Sequence, residues 1–91
     1  MYIHYTPMGK AAIFVLVNCE IGKEKEILEE LKNVPEVTEA YLLYGVYDLI
    51  IKIEGESNEK LKEVLLNKVR KIEGIKTTLS MVVVEGFERN I

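Results

Sequence analysis

Residues 11–19, AAIFVLVNC, are apolar almost without interruption and rich in β-branched and aromatic side chains. That pattern predicts a strand buried on both faces. After a break at Ile21-Gly22 the period changes. In KEKEILEELKNV, Ile27, Leu28, Leu31 and Val34 fall on one helical face, and acidic and basic residues three or four apart fill the other. Pro35 ends this helix. VTEAYLLY (37–44) and DLIIKIE (48–54) read as two more strands, and the short connection at 45–47 makes them an antiparallel hairpin. Ser57 is a good N-cap for a second helix, with Glu59 in its first turn. Leu61, Val64, Leu65, Val69 and Ile72 line its apolar face, and Gly74 sits where a C-terminal stop belongs. IKTTLSMVVV (75–84) is the last strand. The order β-α-β-β-α-β predicts an α+β, ferredoxin-like fold: a four-stranded antiparallel sheet with both helices on one face.

The flanks read differently. Residues 1–10 mix Tyr2, His4 and Tyr5 with Pro7 and Gly9, an N-terminal arm that ends before the first strand. Residues 87–91 read as a short polar tail. The domain proper is 11–86.

Strand alternation sorts the faces of the sheet. Leu49, Ile51 and Ile53 share one side of the third strand, with Ile50, Lys52 and Glu54 on the other. In the last strand Leu79, Met81 and Val83 oppose Thr78, Ser80, Val82 and Val84. The face away from the helices is then expected to carry Phe14, Leu16, Ile50, Val82 and Val84. Such an apolar face needs a cover, and a second copy related by a two-fold axis is the simplest one.

Composition narrows the function. The 91 residues suit one domain whose core is marginal alone. A net charge of −3 and the absence of any basic run argue against a nucleic-acid or membrane-surface binder. No segment approaches the length of a membrane span or a secretory leader. Cys19 is the one cysteine. It reads as a core strand residue in a reducing compartment, the cytoplasm. The one histidine, His4, falls in the arm. No metal or cofactor is expected.

Among hosts of this fold, a phosphate-cleaving enzyme lacks its cradle, since the arginines are Arg70, late in a helix, and Arg89, in the tail. An RNA-binding sheet lacks stacking aromatics beyond Phe14. A small dimeric α+β-barrel enzyme has Asn18 as its one cavity candidate and no catalytic constellation.

The remaining class is a small-molecule sensor. The chain has fourteen glutamates and one aspartate, Asp48, which follows Tyr44-Gly45-Val46-Tyr47. A free amino acid needs a full negative charge, open backbone N–H groups and hydroxyls. Asp48 offers the first, and the backbone at Gly45, Val46 and Tyr47 the second. Thr78 and Ser80 offer the third, and Tyr41 and Tyr44 are candidate pocket walls. The same residues also fit ordinary turn chemistry and ordinary strand formation.

In combination these motifs resemble the ligand-binding domain of the leucine- and asparagine-responsive regulators, the Lrp/AsnC family. The carriers are the Pro35-Glu36-Val37 helix exit, the Tyr44-Gly45-Val46-Tyr47-Asp48 turn, Ile72 to Ile75, and Thr78-Leu79-Ser80, in that order along residues 11–86. The resemblance implies pairing through the sheets and assembly of dimers into rings, often octamers. It implies an amino-acid effector between dimers at Gly45, Val46, Tyr47, Asp48, Thr78 and Ser80, and no catalytic residue. Serine at 80 departs from the family's second threonine, which bears on effector preference. Ten residues before the first strand are too few for the family's helix-turn-helix module. The expectation is a stand-alone effector domain that does not bind DNA itself and that senses an amino acid or joins full-length relatives. The alternative is an interaction module without an effector.

Overall fold

A computed structural model describes residues 2–5 and 11–89. Strands are β1 (Tyr2–Tyr5), β2 (Ala11–Cys19), β3 (Val37–Leu42), β4 (Leu49–Gly55), β5 (Ile75–Val82) and β6 (Gly86–Arg89); helices are α1 (Glu24–Leu31) and α2 (Asn58–Val64). The α2 helix runs on through a wider π turn at Leu65–Val69, where the Arg70 N–H donates to the Leu65 carbonyl at 2.9 Å. The main sheet has the order β3-β4-β2-β5, antiparallel at every pairing, as the hairpin and helix spacing predict.

Alternation builds the core. Ile13, Val15, Val17 and Cys19 of β2 and Leu49, Ile51 and Ile53 of β4 turn to one face. They pack with Ile27 and Leu31 of α1 and Leu61, Val64, Leu65 and Val69 of α2 and its extension. The helix boundaries have local causes. The Ser57 hydroxyl accepts the Lys60 N–H at 3.1 Å, capping α2. Gly74 takes φ +100°, and its carbonyl receives the Glu20 N–H at 2.8 Å, tying the end of this helix to the exit of β2.

Two expectations change. Residues 86–89, the last residue of the expected domain and the start of the expected tail, form a strand paired antiparallel with Tyr2–Tyr5, a two-stranded ribbon separate from the main sheet. The other arm residues, 1 and 6–10, and the last two residues of the expected tail lie outside the described residues. The phase of the last strand is also reversed. Leu16 faces Leu79 and Phe14 faces Met81, whereas Ile13 faces Val82, Val15 faces Ser80 and Val17 faces Thr78. The open face therefore carries Phe14, Leu16, Ile50, Leu79 and Met81, and Val82 does not belong to it. The reason is physical: β5 is a sheet edge, its more apolar side with Leu79 and Met81 turns away from the helices while Thr78 and Ser80 lie on the helix side, and a register shift at Asn18/Cys19 separates its start from its end. Alternation carries no phase information there.

Lys52 stands out on the open face: it is the buried charged residue of the described chain, 3% exposed on a central strand. Among the described residues, no helix is long and apolar enough to cross a membrane.

Candidate functional site

The hairpin between β3 and β4 closes where the Leu43 N–H donates to the Asp48 carbonyl at 2.8 Å. Between them the turn stands out from the body. Tyr44 and Val46 are almost wholly exposed, and a side chain at Gly45 would meet nothing within 4 Å. Tyr47 and Asp48 are half-buried at its base.

Asp48 is held firmly. Its N–H donates to the Val17 carbonyl at 2.9 Å. Its Oδ2 accepts the Cys19 N–H at 2.8 Å. That N–H lies at the register shift between β2 and β5, so the carboxylate supplies the partner that an irregular ladder needs. A strong acceptor at the mouth of β4 thus has a structural task in the single chain.

On the other side of β2, Val17 lies opposite Thr78, and Val15 opposite Ser80. Val17 is also opposite Leu49, the neighbour of Asp48. The fold therefore brings Asp48 and Thr78 to the same end of the sheet, across one strand, with Ser80 two residues further along the edge. The turn at 44–47 lies at that end too. Tyr41 is placed differently. It faces Ile50 on the open face, and its hydroxyl donates to Glu39 Oε1 at 2.8 Å, an interaction that raises the phenol pKa. It belongs with the open face rather than beside Thr78 and Ser80.

Of the neighbours of Asp48, Cys19 reads only as a core residue in the sequence and Glu24 is not singled out there. Donor atoms of Cys19, Glu24 and Asp48 lie within 4.8 Å of one another. Burial first, then the charges of Asp48 and Glu24, push the Cys19 thiol up to about 11. Both carboxylates accept backbone N–H groups, Glu24 from Gly22 at 3.2 Å and Asp48 from Cys19. The thiol stays protonated at neutral pH. The signal for Glu24 was its place just after Gly22, as the first residue of a helix packed at the exit of β2.

Among the described residues, cavities of about 640, 230 and 520 Å³ are lined by residues other than these. The candidate residues form an open arrangement: a turn without cover, an anchored carboxylate and two hydroxyl side chains on an edge strand.

The Lrp/AsnC ligand binding domain, as a family profile, matches residues 12–90. The HTH-type transcriptional regulator FL11 of Pyrococcus furiosus is 35% identical over 72 residues, covering 79% of this chain and 47% of that protein. The chain spans about half the length of the curated relatives it matches. The crystal structure of FFRP-DM1 superposes with a TM-score of 0.77 at 39% identity, covering 81% of this chain and 99% of that one. The structure of Escherichia coli AsnC gives a TM-score of 0.82 at 30% identity, covering 89% and 56%.

Proposed function

Because the chain belongs to the Lrp/AsnC family and is built as its ligand-binding domain, we propose that it is an effector domain binding a small amino acid between paired subunits. The observation that carries this reading is the uncovered turn at 44–47 beside an anchored Asp48. One chain supplies half a site, and a second subunit supplies its cover. The ligand ammonium meets the Asp48 carboxylate through the oxygen not engaged by Cys19. Backbone N–H groups near Val46 receive the ligand carboxylate, and Thr78 and Ser80 orient it. Tyr47 flanks the site at the base of the turn.

Subunits pair through the open sheet face, and pairs join at the turns into a higher ring, an octamer. A ligand that binds only the joined form shifts assembly by mass action. The role is regulatory rather than catalytic: relatives are transcriptional regulators, and this domain acts through assembly or through full-length relatives in the cytoplasm, without touching DNA.

A second reading has its own observation. Leu42, Leu43, Tyr44 and Val46 form an exposed apolar run that suits a protein contact with or without a ligand. The domain would then co-assemble with a DNA-binding relative and ignore amino acids.

Thermal unfolding with each of the twenty amino acids, with mass measured in the same samples, separates the two. A rise in Tm with a few of them, together with a change in mass, supports the sensor. No rise at millimolar ligand sinks it and favours the interaction module.

A further inference from the structure

Glu24 opens α1, whose N-cap residue, Lys23, offers no side-chain cap. The Glu24 carboxylate reaches back instead, and its Oε1 accepts the Gly22 N–H at 3.2 Å. It ends beside Asp48: a carboxylate oxygen of each residue and the Cys19 Sγ all lie within 4.8 Å of one another. Both acids are half-buried. Two like charges this close repel, and partial burial strengthens the repulsion. A cation between them would relieve it. Among the described residues, however, no lysine or arginine pairs with either carboxylate. Lys23, the nearest in sequence, turns to Glu26 at 3.3 Å. The negative field is felt locally: after burial, the charges of Asp48 and Glu24 push the Cys19 thiol up. Two oxygens at 4.8 Å or less can both lie about 2.8 Å from one nitrogen.

We propose that Glu24 is the second anionic partner of the ligand ammonium, which Glu24 and Asp48 hold together. This assignment rests on the effector site proposed at Asp48 and adds to it a residue from another element. An ammonium has three N–H donors, and a single ion pair open to water would hold it weakly. Two carboxylates on separate elements, each already fixed by a backbone N–H, hold it firmly and orient it. The pair carries two negative charges against one positive charge on the ammonium. The residual charge disfavours aspartate and glutamate as ligands.

The Gly22 and Cys19 amides are built-in reporters, since each donates to one of the two carboxylates. The probes are the twenty amino acids, ethylammonium chloride as the ammonium alone, and zinc chloride. NMR reads the two amides and calorimetry the affinity, at neutral pH. An amino acid that binds is expected to shift both amides. Glu24→Gln keeps an oxygen for the Gly22 N–H and removes the charge. It should weaken that binding by at least about tenfold while the Tm stays within a few degrees, and Glu24→Asp, which keeps the charge, should recover part of the loss. A merely structural glutamate would show neither the charge-specific loss nor the rescue. Unchanged affinity in Glu24→Gln, or a panel led by aspartate or glutamate, overturns the proposal and leaves the effector site at Asp48 standing. If no amino acid binds but ethylammonium shifts both amides in the wild type and neither in Glu24→Gln, the paired carboxylates hold an ammonium and the effector reading falls. No shift with any amino acid or with ethylammonium overturns both. Shifts with zinc chloride alone make the pair a metal site and overturn the proposal as well.

Discussion

Asp48 has two tasks that substitution can separate. Its carboxylate accepts the Cys19 N–H at 2.8 Å, and in the proposed function its charge holds an ammonium. Asp48→Asn keeps an oxygen for the backbone and removes the charge. It is expected to unfold within a few degrees of the wild type and to lose any amino-acid-induced rise in Tm. Asp48→Ala leaves a half-buried N–H without its acceptor and is expected to cost about 1–3 kcal/mol, read from denaturant unfolding. An amino-acid response that survives in Asp48→Asn excludes this residue as the ammonium partner. Cys19 adds a pH effect. Its thiol titrates at about 11 in the fold against 9.0 ordinarily. The folded state thus holds a proton that the unfolded state releases first. The stability this contributes is complete below about pH 9 and is lost as pH rises toward 11. Cys19→Ala should flatten the fall in stability across that window, and an unchanged slope would assign the fall to other groups.

At the scale of elements, the sheet and helices rest on signals that local chemistry makes explicit. Ser57→Ala removes the α2 cap and should cost about 1 kcal/mol. Gly74→Ala should cost at least about 1–3 kcal/mol, since the position has φ +100° and a Cβ there would lie 3.1 Å from the Lys23 Cβ. Equal stability of Gly74→Ala and wild type would mean that the turn can be rebuilt without a left-handed residue. These caps, the Pro35 stop and the continuous apolar run of β2 are why element order and sheet topology were legible in the sequence. Two features were not. The phase of β5 depends on pairing across a register shift, and residues such as Leu79 and Val82 are too alike in hydrophobicity to reveal it. The strand at 86–89 has a polar sequence and gains its order from pairing with Tyr2–Tyr5 and from the Glu88–Lys52 contact, both remote in sequence. The candidate site was legible in the same uneven way. The turn and Asp48 announced themselves by residue type, and Thr78 falls at the same end of the sheet. Tyr41 was misplaced as a wall, because one residue of alternation decides its face, and Glu24 and Lys52 become visible only once distant strands are brought together.

For the whole molecule, the corrected phase decides which surface can pair. Tyr41, Ile50, Leu16 and Leu79 stand opposite one another in turn across all four strands of the main sheet. An apolar row this long, running to an edge where Leu79 is 49% exposed, is poorly suited to water. A two-fold partner would lay the same row against it. Leu79→Asp places a charge in that row. In the single chain the aspartate remains solvated at the sheet edge, so the fold should survive. In a pair it would be desolvated opposite apolar side chains, and association should weaken by at least about tenfold, since an uncompensated buried charge is strongly disfavoured. Val82→Asp is the control. It is comparably exposed at 45% but lies opposite Ile13, on the other face. It should leave the mass in solution unchanged, while Leu79→Asp shifts it toward the 10.4 kDa of one chain. If instead Val82→Asp dissociates the protein and Leu79→Asp does not, pairing runs through the edge and helix side of β5. The effector half-site would then face the partner directly instead of meeting a second pair.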